Sequence, residues 1–165
     1  MSFRKAVLIV LALFTVGAQS QSGDDVWVKA LRATGYAAVS KAAAKPGCNP
    51  ENPLSATPQY RQLCPKLASI PDSVIELAAL PYFKRYLTED LARQAMAFWS
   101  SNRGKDLTKK IVKEIETNVH NQLNVEDFKT LDSANKTDYG RALKLFASDR
   151  EQGIVVARAM LAYVP

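Results

Sequence analysis

Apolar residues along this chain recur at intervals of three and four and nowhere alternate over a run bounded by turns. The pattern predicts helices in every segment and an all-α fold. The cleanest stripe is Leu107, Ile111, Ile115 and Val119, at every fourth position, with Lys105, Lys109, Lys110, Lys113, Glu114 and Glu116 mostly around the other faces. Upstream, Asp24 and Asp25 open a first predicted helix with Val28, Leu31, Tyr36 and Val39 on or near one stripe, and its alanine-rich tail favours helix to Ala44, where Pro46-Gly47 stops it. Thr57 and Pro58 read as the N-cap and first-turn proline of a helix carrying Tyr60, Leu63, Cys64 and Leu67, kinked or broken at Pro65. Pro71 and a Ser73-x-x-Glu76 capping box start the next, with Val74, Leu77 and Ala78 inward, and Pro81 restarts the chain to leave a short aromatic piece at residues 82–86.

Thr88 caps a short helix whose first turn holds Glu89 and Asp90 and whose apolar face is Leu91, Ala95, Phe98 and Trp99. Ser100-Ser101-Asn102 break it, and the lysine-rich helix starts at Ser101. Asn124 caps a further helix through Phe128 and Leu131, and residues 133–137 are polar enough for a turn. Residues 138–146 form a helix with Leu143 and Phe146 as candidate core. Ser148-Asp149 cap the last, with Ile154, Ala157, Met160 and Leu161 as its buried stripe and Gly153 allowing a close neighbour. The expected architecture is a single compact bundle of about six to eight short helices around one core.

The N-terminus changes this picture by adding a compartment. Arg4 and Lys5 precede an apolar run at residues 6–16 and then Gly17-Ala18-Gln19-Ser20, the order of a secretory signal peptide. That run reaches about 16 Å as a helix against about 30 Å of hydrocarbon. Small Ala18 and Ser20 fit the signal-peptidase positions −3 and −1, so cleavage is expected after Ser20, leaving residues 21–165 as one all-helical domain in the periplasm or outside the cell, with no transmembrane span. The formal charge of +6 includes Arg4 and Lys5, so the mature part is mildly basic, and outside the cytoplasm nucleic acid is not the expected partner. Cys48 and Cys64 are expected to pair in an oxidising compartment and to fasten the proline-rich segment between them.

One stretch carries a resemblance. Leu87-Thr88-Glu89-Asp90-Leu91, followed by Phe98-Trp99-Ser100-Ser101-Asn102-Arg103-Gly104-Lys105, resembles the signature of the exported bacterial family called domain of unknown function 2059. That signature has a Thr-Glu-Glu/Asp-Leu helix start, an aromatic pair, a serine, a proline, a glycine and a basic helix. Phe98 and Trp99 match the pair, Ser101 the serine and Gly104 the glycine, while Asn102 stands in the proline place. The resemblance implies a helical exported protein and no particular reaction. Read on its own chemistry, the motif is a tight helix corner with an aromatic packed beneath it and a glycine allowing close approach, or else a ligand-binding corner. A fainter echo, Leu145-Phe146-Ala147-Ser148-Asp149-Arg150, is compatible with a duplicated helical hairpin.

Catalytic patterns are scarce. His120 is the only histidine, near a helix C-terminus where a capping or surface role is expected, and no metal site or cofactor is expected. The acid pairs Asp24-Asp25, Glu89-Asp90 and Glu126-Asp127 fall at predicted helix starts, where the helix dipole accounts for them. The basic residues Arg103, Lys105, Lys109, Lys110 and Lys113 form either a solvated face or a face for an anionic partner beside Trp99. Three functional readings stay open: a non-enzymatic binding or interaction module for a protein or envelope component, an immunity protein against a secreted antibacterial effector, and a peptidoglycan-active enzyme using carboxylates.

Overall fold

The computed structural model describes residues 18–164, with side-chain surroundings from Asp25 onward. Among these residues it is all helix, with no strand. The α-helices are α1 (Ala18–Ala33), α2 (Tyr36–Ala44), α3 (Pro58–Leu63), α4 (Asp72–Tyr86), α5 (Glu89–Trp99), α6 (Asn102–Thr117), α7 (Val125–Asn135), α8 (Asp138–Ala147) and α9 (Arg150–Ala162), with 3-10 turns at Lys45–Cys48, Pro53–Ala56 and Cys64–Ser69. None of the helices is long and apolar enough to cross a membrane. The expected signal peptide lies outside the described residues except for its last three, which belong to α1.

Helix α4 runs through the middle of the bundle, touching α1, α2, α8 and α9, while α1 also lies along α5 and α2 lies along α6. Leu31, Ile70, Ile75, Phe83 and Leu87 are fully buried there. Phe83 meets Phe146 edge to face, with centroids 5.2 Å apart, and Phe146 also meets Tyr36 at 5.2 Å. The Cys48–Cys64 disulfide spans 5.5 Å between Cα atoms and ties the proline-rich segment to the start of the 3-10 turn after α3. A closed loop of this length contributes about 3 kcal/mol through restriction of the unfolded chain.

Several caps are where the sequence puts them. Thr57 accepts from Tyr60 N, Thr88 from Leu91 N, Asn124 from Asp127 N, and Asp149 from Glu151 N and Gln152 N. The helix broken at Pro65 is also as expected, since α3 gives way there to a 3-10 turn.

Other expectations give way to tertiary packing. The first helix is two, because Thr34 Oγ1 donates to Leu31 O and Gly35 takes φ +68° between α1 and α2. Asp24 and Asp25 lie inside α1 and not at its start, because that helix begins at Ala18. Pro81 does not restart the chain: α4 passes through it, its ring exposed, because Ile75, Ala79, Tyr82 and Phe83 form one buried line that offsets the lost backbone bond. The Ser73-x-x-Glu76 capping box does not form, since Pro71 is the N-cap and Glu76 is drawn inward to Arg32. Leu77 points outward at 63% exposure, Val119 lies beyond the end of α6, and Ile154 and Ala157 are exposed while Gln152, Val156 and Met160 are buried. Gly153 has no neighbour within 4 Å of where a Cβ would sit, so nothing approaches it closely.

Candidate functional site

The stretch from Phe98 to Gly104 forms a tight corner between α5 and α6. Ser101 Oγ donates to Phe98 O at 2.6 Å and accepts from Gly104 N at 3.1 Å, closing one helix and opening the next with one hydroxyl. A Cβ on Gly104 would fall 2.4 Å from Phe98 O and 2.6 Å from the Trp99 Cα, so only glycine fits against the end of α5. Phe98 stacks edge to face on Trp99, with centroids 5.1 Å apart, and lies 6.1 Å from Tyr139 of α8. Both rings pack against the core, and Trp99 also forms part of the wall of two surface hollows.

The predicted basic face of α6 divides by helical phase. Arg103 and Lys110 turn toward α7 and converge on Asp127, which is 0% exposed: Arg103 Nη1 lies 2.8 Å from Oδ1 and Lys110 Nζ 3.0 Å from Oδ2. Asp127 Oδ2 also accepts from Asn124 N at 2.9 Å, completing a reciprocal capping box, and Arg103 Nη2 donates to Thr130. That backbone N–H, followed by Lys110 and Arg103, holds the Asp127 carboxyl below the usual carboxylate range against the opposing effect of burial. Asp106 joins from α6 itself, 2.8 Å from Lys110 Nζ, and with Asp127 pushes the Lys110 ammonium up. These two cations therefore clamp α7 onto α6. Lys105, Lys109 and Lys113 are exposed and have no acidic partner among the described residues.

Those lysines border hollows along α6. One of about 390 Å³ lies between Arg32 and Gly35 on one side and Trp99, Lys105, Thr108 and Lys109 on the other. A second, of about 250 Å³, is lined by Tyr36, Val39, Trp99, Ile111, Leu143 and Phe146, so its walls are almost wholly apolar. Trp99 and Thr108 belong to both and form the partition between them. A third hollow, of about 500 Å³, continues past Lys109 to Val112, Lys113 and Glu116. Gly35 shapes the partition. Its positive φ turns α1 into α2, and a Cβ there would strike Thr108 Cγ2 at 2.3 Å. The indole Nε1 of Trp99 is shut off from solvent and has no hydrogen-bond partner. Such an orphaned donor is uncommon in folded proteins. The other one among the described side chains, Gln152 Nε2, lines none of these hollows.

Arg32 borders the 390 Å³ hollow, but its charge is already committed. Its Nε and Nη2 donate to the two oxygens of Glu76 at 3.2 and 2.8 Å, a bidentate pair in which the carboxylate is only 3% exposed. A separate cleft of about 910 Å³ opens beside the proline-rich loop, between Lys45, Asn49 and Asn52 and the end of α6 at Glu116 and Asn118.

The acid pairs do not gather into one site. Glu89 and Asp90 are exposed in the first turn of α5, where Glu89 pairs with Arg93. Glu126 is exposed, and Asp127 is occupied by its two cations. His120 lies exposed in the loop between α6 and α7. The echo at residues 145–150 does not reproduce the corner, because Ser148 closes α8 and the cap passes to Asp149. Sequence reasoning missed Tyr36, Val39, Thr108, Ile111, Leu143 and Phe146 as neighbours around Trp99. The one local signal was Thr34-Gly35, which divides the alanine-rich stretch and lays α2 along α6. Comparison with known proteins finds no matching family profile, curated protein or solved structure.

Proposed function

We propose that this chain is a non-enzymatic binding module, exported to the periplasm or beyond, that takes an envelope component or protein at the hollows around Trp99. The observation that carries this reading is that Trp99, with its orphaned and buried indole N–H, lines two adjoining hollows, one of them bordered by Lys105 and Lys109, which have no acidic partner among the described residues. Fold-stabilising cations on the same helix, Arg103 and Lys110, are paired, so the unpaired ones stand apart from the scaffold. The resemblance of residues 87–105 to the exported family of domain of unknown function 2059 and the signal-like N-terminus support the extracytoplasmic half of the reading.

The test uses the chain expressed with its N-terminus intact. Recovery from the periplasm beginning at Gln21 is expected, and recovery from the cytoplasm beginning at Met1 overturns the export. The exported protein, immobilised, is expected to retain an envelope component that the Lys105→Ala/Lys109→Ala variant releases. Equal retention by both proteins overturns the placement of the site at Trp99, and turnover of purified wall material by the protein overturns its non-enzymatic character.

A further inference from the structure

Two hollows share one wall, and only the larger is bordered by cations. The smaller offers a lining of aromatic and aliphatic side chains from α2, α6 and α8, and the larger is lined by Lys105 and Lys109 together with Arg32, whose charge is paired with Glu76. Lys105 and Lys109 stand one helical turn apart, a spacing at which like charges repel, and an anion between them would relieve that repulsion. The partition includes Trp99, whose buried N–H has no hydrogen-bond partner.

We infer that the paired hollows bind a single-chain amphiphile with an anionic head, an acyl carboxylate, its tail in the Tyr36–Val39–Ile111–Leu143–Phe146 lobe and its head between Lys105 and Lys109. This rests on the reading of the Trp99 region as a binding site and names its ligand class. Size selects one chain: about 250 Å³ is below the range of about 300–1,000 Å³ usual for pockets that enclose a whole small ligand. It accommodates one short tail and not the two of a bilayer phospholipid. Polarity selects a tail over a peptide. A peptide threaded into the apolar lobe would bring backbone N–H and C=O groups to walls that offer almost nothing to pair with them. The head is selected only by sign, because lysine ammoniums act as point charges and lack the fork that arginine presents to a carboxylate.

Trp99 provides the readout. In the isotope-labelled full chain the two indole N–H resonances are told apart with a Trp99→Phe sample, and the protein is titrated below the critical micelle concentration with octanoate, decanoate and dodecanoate. The Trp99 indole resonance is expected to shift saturably. Affinity is expected to climb about fourfold per methylene, the equivalent of about 0.8 kcal/mol per buried CH₂, and to stop climbing once the lobe is full. Decyltrimethylammonium, with the same tail and the opposite head, is expected to bind at least tenfold more weakly than decanoate. Lys105→Ala/Lys109→Ala is expected to remove that preference. Ala147→Leu, which fills the lobe from an exposed position, is expected to abolish decanoate binding while the helical circular dichroism signal is kept.

No saturable shift, equal affinity for the cationic amphiphile, or binding to phosphatidylglycerol vesicles but not to monomeric decanoate overturns the inference. If decanoate fails while capture of an envelope component still depends on Lys105 and Lys109, the ligand class falls and the binding-module reading stands. If neither depends on those lysines, both fall.

Discussion

The α5–α6 and α7–α8 corners are two copies of one device with different side chains hung on it. Ser101 Oγ and Thr137 Oγ1 each donate to a carbonyl three residues back, Phe98 O and Ala134 O, at 2.6 Å, and each accepts from a glycine N–H, Gly104 or Gly140, at 3.1 Å. A Cβ on either glycine would strike that same carbonyl, at 2.4 Å and 2.0 Å. The helices leading into the corners are both 11 residues long, and both begin at a cap, Thr88 or Asn124, that accepts from the third residue of its helix. The copies differ at the residue before the turn, Trp99 against Asn135, and at the third residue of the leading helix, Leu91 against Asp127. Corner geometry is thus a folding device held in common. The orphaned indole belongs to one copy and the buried charge clamp to the other.

The comparison is most severely tested at the two glycines. Gly104→Ala and Gly140→Ala are each expected to cost about 3 kcal/mol, because backbone must move to admit the methyl group. Urea denaturation measures both, and a cost confined to one corner would break the equivalence. Next comes the residue that differs. Trp99→Ala is expected to cost about 2 kcal/mol, less than a fully buried tryptophan would, whereas Asn135→Ala, at an exposed position, should stay within about 0.5 kcal/mol. Similar losses at the two sites would show that position 99 does nothing position 135 does not.

The shared caps predict smaller, matched effects. Ser101→Ala and Thr137→Ala should each lower stability by about 1 kcal/mol, read from thermal melts, and unequal values would mean that the hydroxyls carry different loads. Asp127→Asn is expected to lower stability at neutral pH, since it leaves Arg103 and Lys110 with Asp106 alone as a partner. Its signature is in acid. The folded chain holds Asp127 below the unfolded value of about 3.9, so the carboxylate adds stability above that pH and the addition is lost as pH falls through the lower folded value. Wild type and variant should therefore converge in urea melts taken from pH 6 down to pH 2. A residual acid slope is expected in both from Asp149, where the Tyr86 hydroxyl, two backbone N–H groups and Arg85 outweigh burial and also hold the carboxyl low. A gap that persists unchanged at pH 2 would remove Asp127 as the clamp.

How much of this was legible in the sequence varies with the range of the interaction. Caps at Thr57, Thr88, Ser101, Asn124 and Asp149 were readable because a cap needs only its own next three residues. The same local reading mistook Glu76 for a capping residue, since its true partner, Arg32, lies 44 positions away. It also stopped a helix at Pro81, because propensity carries no information about the buried line formed by Ile75, Ala79 and Phe83. Within the candidate site, Phe98, Trp99, Ser101 and Gly104 stood out as a motif. Nothing nearby in the chain said that Trp99 would line two hollows, or that of five cations on one helix two would be clamped and three left without an acidic partner among the described residues.

The amino-acid order by itself determined the helical class, most of the starts and stops, and the disulfide pairing, because periodicity and capping act over a turn or two and this chain has two cysteines to join. Tertiary structure alone decided which side of α6 is scaffold and which is surface, and it made Trp99 a wall shared by two apolar hollows, one of them bordered by lysines. Helix α7 supplies a buried carboxylate to one phase of α6 and α2 lays an apolar wall along another. A helical face acquires a role only from what packs against it, and those packing partners are distant in the sequence.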